Sequence, residues 1–282
     1  MRATLAAKWR AQVWGQPVAH SLSPALHNAA YEALEIDATY DRREVGVADL
    51  PAALEALDKD IRGLSLTMPL KEAILPLVSD HRGLVQELGA ANTVIRHEGA
   101  FFLWNSDPAG ITGALGANGV GELDRGVILG AGATARSAIR ALHDMGAAEL
   151  VIISRDEARA KTTLDYARSV GVKARWGSLA SLPETGQADI VVSTLPHGVD
   201  LSDAVPAGLV RGAALLDVTY HPWPSPLARA WSASERPIVS GAQMLLHQAV
   251  IQIRLFTSGD AERELPGEAD VVRAMQRALP EG

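Results

Sequence analysis

Short apolar runs alternate with helical patterns in the second half of the chain. The runs cover residues 126–130, 149–153, 188–193 and 213–218, and helical patterns separate the first three of them. Strands that are apolar along their whole length are typical of a parallel sheet covered by helices on both faces. This half is therefore predicted to form a parallel α/β sheet.

The first half of the chain alternates shorter strands and helices. Over residues 63–67 the leucines fall on one face and the polar residues on the other, which is the period of a strand. Ser23, Pro69 and Asp107 mark helix starts, with Ser23 expected as an N-cap because a proline follows it. Further strands are predicted over residues 12–15, 92–96 and 100–104.

A third pattern follows Gly241. Residues 244–256 are apolar on two faces of a helix, which predicts a largely buried helix. The chain shows no internal repeat, low-complexity tract or obvious linker. A domain boundary near residue 107 is therefore predicted from the change of pattern and not from composition.

One stretch joins a strand to a helix through glycines. The run 126–130 ends at Gly130, Gly132 follows, and Ala135 opens a helical pattern. In a G-x-G-x-x-A motif the first glycine permits the turn, the second admits a pyrophosphate, and the small third residue lets the helix pack closely. The N-terminus of such a helix attracts phosphate. The stretch predicts a Rossmann-type dinucleotide site, and a glycine turn without ligand is the alternative.

Composition narrows the classes of function. The chain has 282 residues, of which 48% are hydrophobic and 21% charged, as expected for a globular protein of about two domains. It has no cysteine, which excludes disulfides, Cys-ligated zinc and thiolate nucleophiles, and we predict no metal site. No apolar run reaches the ~18 residues of a membrane span, and the first residues lack a signal-peptide core. We therefore expect a cytoplasmic protein without a membrane partner.

The net charge of −7 argues against nucleic acid as a partner. Two serines near the N-terminus point instead to a small anion. In an extended approach to the first helix, Ser21 and Ser23 direct their hydroxyls the same way, beside the helix N-terminus. Two O–H donors and the helix dipole suit a carboxylate. A helix cap is the alternative role for Ser23.

Lys71 and Asp107 are candidates for proton transfer. Lys71 lies in the first turn of a short predicted helix, which is the unfavourable end for a cation. An amine held there can serve as a general acid or base, whereas the alternative is a solvated surface lysine. Asp107 has the alternative role of an N-cap, and no spacing in the sequence places it near Lys71.

Gln248 carries a polar amide on an apolar stripe. It is in helical register with Met244, Ile251 and Leu255, so we expect its side chain in the interior. A buried amide without partners costs about 1–3 kcal/mol. Gln248 is therefore predicted to bond either a ligand or another part of the protein.

Taken together, several motifs resemble those of the shikimate dehydrogenase family. The opening signature covers residues 15–28, and the remaining motifs follow in the family order as far as about residue 256. These motifs are residues 66–71, 91–93, 105–107, 217–222 and 241–249. The chain departs from the family pattern at Ser106, where threonine is usual, and at Ala133 and Thr134, where Gly-Ala is usual.

The resemblance implies two α/β domains. Residues 1–107 with 241–282 would form the substrate-binding and catalytic domain, to which a C-terminal helix returns, and residues 108–240 the Rossmann NADP-binding domain. The implied reaction is reversible hydride transfer between NADPH and the ketone of 3-dehydroshikimate, which gives shikimate for chorismate and aromatic amino acid biosynthesis. The implied assembly is a monomer or homodimer.

The resemblance also implies roles for particular residues. Lys71 and Asp107 would be the catalytic acid–base pair. The substrate would be bound by Ser21, Ser23, Thr67, Asn92, Tyr220 and Gln248. The cofactor would be bound by Gly130, Ala131, Gly132, Ala133, Thr134, Ala135, Ser154, Arg155, Arg159 and Gly241.

Cofactor choice depends on the segment after the second strand of the nucleotide domain. Arginines there accommodate the 2′-phosphate of NADP, whereas an acidic residue that bonds the ribose selects NAD. Arg155 and Arg159 match the NADP-using pattern, but Asp156 stands where a small hydroxyl residue is expected. NADP is the predicted cofactor and NAD the alternative. Replacing Asp156 with threonine is expected to raise the preference for NADP.

Two other functions fit the same scaffold. One is a quinate or dual quinate/shikimate dehydrogenase that uses NAD; Asp156 favours it, whereas Ser21 and Ser23 favour shikimate. The other is a catalytically silent dinucleotide-binding regulator. The presence of Lys71 and Asp107 argues against a regulator, because a binding module has no need of an acid–base pair.

Overall fold

The computed structural model describes residues 8–184, 186–196 and 198–280 of the chain. This part divides into two compact units. Unit 1 runs as far as Ser106 and resumes at Gln248, and unit 2 extends from Asp107 to His247. Within the described ranges, no helix has both the length and the apolar character that a membrane crossing requires.

Unit 1 contains a six-stranded mixed sheet. Its strands, in the order β2-β1-β3-β5-β6-β4, are parallel except that β5 runs antiparallel to β3 and β6. The strands are β1 (Trp9–Gly15), β2 (Ala38–Glu44), β3 (Ile61–Leu66), β4 (Asp80–His81), β5 (Thr93–His97) and β6 (Ala100–Trp104). The helices are α1 (Ser23–Ala33), α2 (Leu50–Glu55), α3 (Leu70–Ala73) and α4 (Val85–Leu88), and a 3-10 turn covers Leu75–Leu77.

Unit 2 contains a six-stranded sheet that is parallel throughout, in the order β12-β11-β10-β7-β8-β9. The strands are β7 (Arg125–Leu129), β8 (Glu149–Ile153), β9 (Lys173–Gly177), β10 (Ile190–Ser193), β11 (Ala214–Asp217) and β12 (Ile238–Ser240). The helices are α5 (Asp107–Ala117), α6 (Ala133–Asp144), α7 (Glu157–Ser169), α8 (Ala207–Gly212) and α9 (Pro226–Trp231), with 3-10 turns at Leu179–Glu184 and Ser202–Ala204.

Two helices complete the chain. Helix α10 (Gly241–Ser258) begins in unit 2 and continues into unit 1, and α11 (Glu268–Arg277) packs against α1. The α/β class with a parallel-sheet nucleotide domain and a returning C-terminal helix is confirmed.

The sheet of unit 2 reverses its direction of growth beside β7. The chain proceeds from β7 through β8 to β9, then returns to the other side of β7 and adds β10, β11 and β12. In doubly wound sheets, ligands bind at such a switch point, outside the carboxyl ends of the strands. The glycine turn that follows β7 lies at the carboxyl end of this strand, next to the switch point.

Most predicted strands appear with small shifts of boundary. Residues 100–104 and 149–153 form strands as predicted, and the runs 126–130, 188–193 and 213–218 form β7, β10 and β11 with one or two end residues outside the strand. Two predictions about helix starts were wrong. Ser23 is the first residue of α1 and Leu22 occupies the N-cap position, and α6 begins at Ala133, two residues before Ala135.

Candidate active site

The two serines before α1 lie in the interior of unit 1. Ser21 and Ser23 are both buried, and the Ser21 hydroxyl oxygen accepts a hydrogen bond from the backbone N–H of Ser23 at 3.3 Å. The Ser23 hydroxyl also hydrogen-bonds the phenol of Tyr40. Burial raises the pKa of Tyr40 well above its ordinary value, so this phenol remains a neutral hydrogen-bonding group. No pattern in the sequence distinguishes Tyr40 from other tyrosines.

Thr67, Lys71 and Asn92 come together where β3 ends and β5 begins. The antiparallel pairing of these strands places their opposite ends side by side. The backbone N–H of Leu66 donates to the Asn92 carbonyl at 2.7 Å, and the N–H of Ala91 donates to the Lys71 carbonyl at 2.8 Å. Lys71 is half-buried and Asn92 is buried. The predicted proton donor and two predicted substrate ligands therefore lie next to the adjoining ends of β3 and β5.

Asn92 is held by Ser106 and Gln248. Its Oδ1 accepts from the backbone N–H of Ser106 at 2.9 Å, and its Nδ2 donates to the Ser106 hydroxyl at 2.9 Å. Nδ2 also donates to Gln248 Oε1 at 3.3 Å, and the Ser106 hydroxyl donates to the same oxygen at 3.0 Å. Gln248 is buried, as predicted, and its amide oxygen is bonded within the protein. The hydroxyl of Ser106 makes these bonds without the methyl group of the usual threonine.

Further polar side chains extend this cluster through the core of unit 1. Gln252, one turn after Gln248 on α10, donates from Nε2 to Thr93 Oγ1 at 2.9 Å and to the Asn92 carbonyl at 3.2 Å. Its Oε1 accepts from Ser65 Oγ at 2.7 Å, and Ser65 accepts from the Tyr40 hydroxyl at 2.6 Å. The one sequence pattern that could have identified Gln252 is its position one helical turn after Gln248, on the same buried face of the helix.

In unit 2, the glycine turn joins the end of β7 to the start of α6. Gly130 follows β7 with a φ of +110°, and a Cβ there would lie 2.3 Å from Thr194 Oγ1. Gly132 occupies the N-cap position of the twelve-residue helix α6, and a Cβ there would meet no atom of the described residues within 4 Å apart from its two chain neighbours. Gly130 is thus required by the protein itself, whereas the space at Gly132 is open. Ala135 is fully buried.

A neighbouring helix fixes this turn in place. The hydroxyl of Thr163, a buried residue of α7, donates to the carbonyl of Ala131 at 2.9 Å. The turn residues Ala131, Ala133 and Thr134 are half-buried, and Gly132 is exposed. The loop is therefore anchored from one side, and Gly132 at the start of α6 is exposed.

The segment after β8 carries the residues predicted to select the cofactor. Arg155 and Arg159 are exposed there. Asp156 is the N-cap of α7: one carboxylate oxygen accepts from the backbone N–H of Arg159 at 2.8 Å, and the other lies 3.3 Å from the Arg159 guanidinium. The carboxylate that raised doubt about NADP therefore has a structural role and is bonded to one of the two arginines.

Ser154 is held by bonds within the protein. Its hydroxyl donates to the carbonyl of Asp156 at 2.7 Å and accepts from the indole N–H of Trp176 at 3.0 Å. Tyr220 follows the carboxyl end of β11 and is half-buried, and Gly241 is so close to Val218 that a Cβ would lie 1.9 Å from its carbonyl oxygen. Asp107, the first residue of α5, is buried and directly follows Ser106 in the chain.

Comparisons with known proteins give the family. Residues 13–94 match the family model described as the shikimate dehydrogenase substrate binding domain. A protein of Methanocella arvoryzae named shikimate dehydrogenase (NADP(+)) is 38% identical over 251 residues, which cover 87% of this chain and 91% of that protein. The chain belongs to the shikimate dehydrogenase family.

Two solved structures of shikimate dehydrogenases extend the match to 96% of the chain. The enzyme of Mycobacterium tuberculosis is 35% identical with a TM-score of 0.82, covering 96% of this chain and 98% of that one. The enzyme of Thermus thermophilus, solved in complex with NADP(H) and shikimate, is 31% identical with a TM-score of 0.78, covering 96% of this chain and all of that one. The resemblance stated from the motifs is confirmed.

The shikimate dehydrogenase motifs of this chain fall into two sets. Unit 1 contains Ser21, Ser23, Thr67, Lys71, Asn92 and Gln248, and unit 2 contains Asp107, Tyr220 and the predicted cofactor residues. Within unit 1 the structure joins Asn92 to Gln248 directly and Ser23 to Tyr40. The described ranges hold no group of three or more His, Asp or Glu side chains arranged to bind a metal.

Proposed function

We propose that this chain catalyses the reversible reduction of 3-dehydroshikimate to shikimate with NADPH. The observation that carries the proposal is the polar composition of unit 1, where buried serine hydroxyls, a buried Asn–Gln pair and the half-buried Lys71 are the functional groups of the predicted site. A small ring with one carboxylate, several hydroxyls and one ketone offers a hydrogen-bonding partner to each of these side chains. The family relatives are named for this activity.

Each side chain has a step that its chemistry suits. Ser21 and Ser23 offer O–H donors to the substrate carboxylate, and Asn92 and Gln248 offer amide groups to the ring hydroxyls. NADPH, when bound, supplies the hydride to the ketone carbon. The Lys71 ammonium stabilises the negative charge that develops on the ketone oxygen and then transfers a proton to it. Asp107 would hold the lysine and a substrate hydroxyl in position.

The structure fits a dinucleotide cofactor by its shape. The open space at Gly132 and the N-terminus of α6 suit a pyrophosphate, and the exposed Arg155 and Arg159 suit a 2′-phosphate. Because the Asp156 carboxylate caps α7 and bonds Arg159, it is not committed to a ribose hydroxyl. These contacts favour NADP over NAD and remove the main argument for a quinate dehydrogenase that uses NAD.

We also propose a cellular location and an oligomeric state for the protein. We place the protein in the cytoplasm as a monomer or homodimer that binds small molecules and no nucleic acid. The net charge of −7 supports the expectation that the chain binds no nucleic acid. Light scattering at several concentrations would measure the oligomeric state.

The test of the proposed function is a set of initial rates with the purified protein. Shikimate and quinate are each oxidised with NADP and with NAD, and NADPH binding is measured separately by fluorescence. We expect the shikimate–NADP pair to give the highest kcat/KM. A dominant rate with quinate or NAD would replace the substrate or cofactor in the proposal. Cofactor binding without turnover in all four assays would make the chain a regulator.

A further inference from the structure

Six side chains form a hydrogen-bonded chain through the interior of unit 1. It runs from Tyr40 to Ser65, Gln252, Thr93, Asn92 and Gln248, with donor–acceptor distances of 2.6, 2.7, 2.9, 2.7 and 3.3 Å. All six residues are buried. One end contacts Ser23 and the other is Gln248, so the chain connects the residues proposed for the carboxylate with those proposed for the ring hydroxyls.

Two backbone groups determine the direction of every bond in this chain. The carbonyl of Asn92 can only accept, so the atom of Gln252 that faces it must be Nε2. The backbone N–H of Ser106 can only donate, so the atom of Asn92 that faces it must be Oδ1. Side-chain amides between fixed partners of this kind have a single orientation.

The fixed directions reach both ends. Asn92 has to present Nδ2 to Gln248, which sets Gln248 with its oxygen toward Asn92 and its N–H₂ at the other end of the amide. In the other direction, Ser65 gives its single proton to Gln252, so Tyr40 must give its own proton to Ser65. Tyr40 therefore has no proton to donate to Ser23, and the Ser23 hydroxyl gives its single proton to Tyr40. To donate to a substrate carboxylate, the Ser23 hydroxyl has to rotate away from this phenol.

We propose that Gln252 is a positioning residue for substrate binding: through Thr93 and the Asn92 carbonyl it holds the amide of Asn92, and so fixes the amide of Gln248 with its N–H₂ directed to donate to the substrate. This proposal rests on the function proposed above, since it concerns how the same substrate is bound. Gln252 itself lies one helical turn from Gln248, and its amide is bonded to Ser65, Thr93 and the Asn92 carbonyl.

A purely structural role would predict a different outcome. If the chain only satisfied buried polar groups, breaking it would lower thermal stability and leave the affinity for substrate unchanged in the protein that remains folded. If the chain fixes donors, breaking it weakens shikimate binding in the folded protein and leaves NADP binding intact. Affinity and stability must therefore be measured on the same variants.

Three substitutions break the chain at different points. Gln252→Met removes both links, Thr93→Val removes the link to Asn92, and Ser65→Ala removes the link to Tyr40. Thr93→Ser keeps the hydroxyl and serves as the conservative variant. Thr257→Val on the same helix, where the hydroxyl donates to the Ile253 carbonyl at 2.7 Å outside the chain, is the matched control.

Calorimetry measures the affinity of each variant for shikimate, and tryptophan fluorescence measures its affinity for NADP⁺. Gln252→Met raises the Kd for shikimate about tenfold or more, and Thr93→Val and Ser65→Ala each raise it about threefold to tenfold, because the amides of Gln252 and Asn92 lose bonds that hold their orientation. Thr93→Ser and Thr257→Val stay within about twofold of the wild type, and every variant binds NADP⁺ as the wild type does. Steady-state KM for shikimate rises in parallel.

A double-mutant cycle tests whether Gln252 acts through Gln248. In a Gln248→Ala background, we expect Gln252→Met to cause less than half of the change in shikimate affinity that it causes alone. Unchanged affinity in folded Thr93→Val and Ser65→Ala, or strict additivity in the cycle, would overturn the proposal. An effect of Gln248→Ala on shikimate affinity without an effect of Gln252→Met would overturn only this inference. A wild-type protein without shikimate turnover would overturn the proposed function itself.

Discussion

In unit 1 the polar groups of the proposed site are side chains bonded to one another inside the core, whereas in unit 2 they belong largely to the backbone of the glycine turn after β7. Asn92 makes its contacts through its amide, and Gly132 offers only open space at the start of a helix. Removing atoms should therefore damage unit 1, and adding atoms should damage unit 2.

The difference follows from the two kinds of ligand. A small polyhydroxylated ring is recognised by donors and acceptors at fixed positions, which side chains supply. A pyrophosphate carries charge spread over many oxygens, and a helix N-terminus with a close backbone approach binds it without specific side chains. The comparison can be tested with four substitutions, given from the largest expected effect to the smallest.

Lys71→Ala removes the proposed proton donor of unit 1. General acid–base groups contribute about 10²–10⁴-fold to rate, so we expect kcat for shikimate oxidation to fall by that factor while the Kd for shikimate changes little. Stopped-flow measurement of NADPH formation gives the chemical step. Lys59→Ala, at an exposed lysine of the same unit, is the control. A Lys71→Ala protein with near-normal kcat would remove the lysine from the mechanism.

Gly132→Ala adds one methyl group to unit 2. Apart from its two chain neighbours, no described residue has an atom within 4 Å of the added carbon, so the free energy of unfolding should fall by less than about 1 kcal/mol, as expected for alanine at an N-cap. The methyl group would occupy the approach of the pyrophosphate, and we expect the Kd for NADP⁺ to rise about tenfold or more. Fluorescence titration and urea unfolding measure the two quantities.

Two other glycines calibrate this result. Gly116→Ala, in helix α5 with open space around it, should leave cofactor affinity unchanged. Gly130→Ala should instead lower stability, because its φ is positive and the methyl group meets Thr194. Normal NADP⁺ affinity in the Gly132→Ala protein would mean that the pyrophosphate does not approach this glycine.

His27→Phe tests a buried side chain of unit 1 that has no role in the proposed reaction. Its ring stacks on Tyr40 at 4.0 Å, and burial lowers the pKa of His27 to about 3, with the interaction between the imidazole and Gln252 acting in the opposite direction. The unfolded chain takes up this proton below pH 6.5, whereas the folded protein does not until about pH 3. Stability is therefore lost as the pH falls through this window, by about 1.4 kcal/mol per pH unit.

The measurement is the free energy of unfolding in urea at pH 7.5 and pH 5.0. The histidine contributes about 2 kcal/mol to the difference between the two values. We expect the difference to shrink by that amount in His27→Phe and to stay unchanged in His143→Gln, at an exposed histidine. An equal difference in the wild type and in His27→Phe would show that the imidazole takes up its proton at the same pH in the folded and the unfolded protein.

Asp156→Thr should have the smallest effect. Threonine can still cap α7, and the carboxylate it replaces is exposed and already bonded to Arg159. Removing an exposed charge near a phosphate changes binding by about 1 kcal/mol at most, so the preference for NADP over NAD should rise by less than about fivefold. The ratio of the two kcat/KM values measures it. A change of a hundredfold would place the carboxylate at the ribose after all.

The strands that the sequence pattern identified and those that it missed differ in position. The missed strands β2, β4, β9 and β12 are the four edges of the two sheets. Edge strands are short or carry charged, exposed side chains, so they lack the apolar runs of central strands. β2 has one buried residue among seven, and β12 has three residues in all. The central strands were predictable because both of their faces are covered.

The proposed site was predictable where it depends on local sequence and not where it depends on tertiary contacts. The glycine turn and the burial of Gln248 follow from spacing along one strand or helix. The bond between Ser65 and Gln252 joins residues 187 positions apart, and no periodicity relates them. The role of Asp156 as a cap is local, yet the motif comparison directed attention to the ribose and away from the helix that the residue begins.

The fixed direction of the bonds in the core of unit 1 has a consequence for how this protein changes over generations. A single replacement at position 65, 93 or 252 leaves a neighbouring side chain with a buried hydrogen-bond donor or acceptor that has lost its partner. Substitutions at these positions are therefore expected to accumulate as compensated sets, with one change selecting for the next. In the apolar strands of unit 2, by contrast, valine, isoleucine and leucine can replace one another singly at a smaller cost. The two units of the chain should therefore accumulate substitutions in different ways.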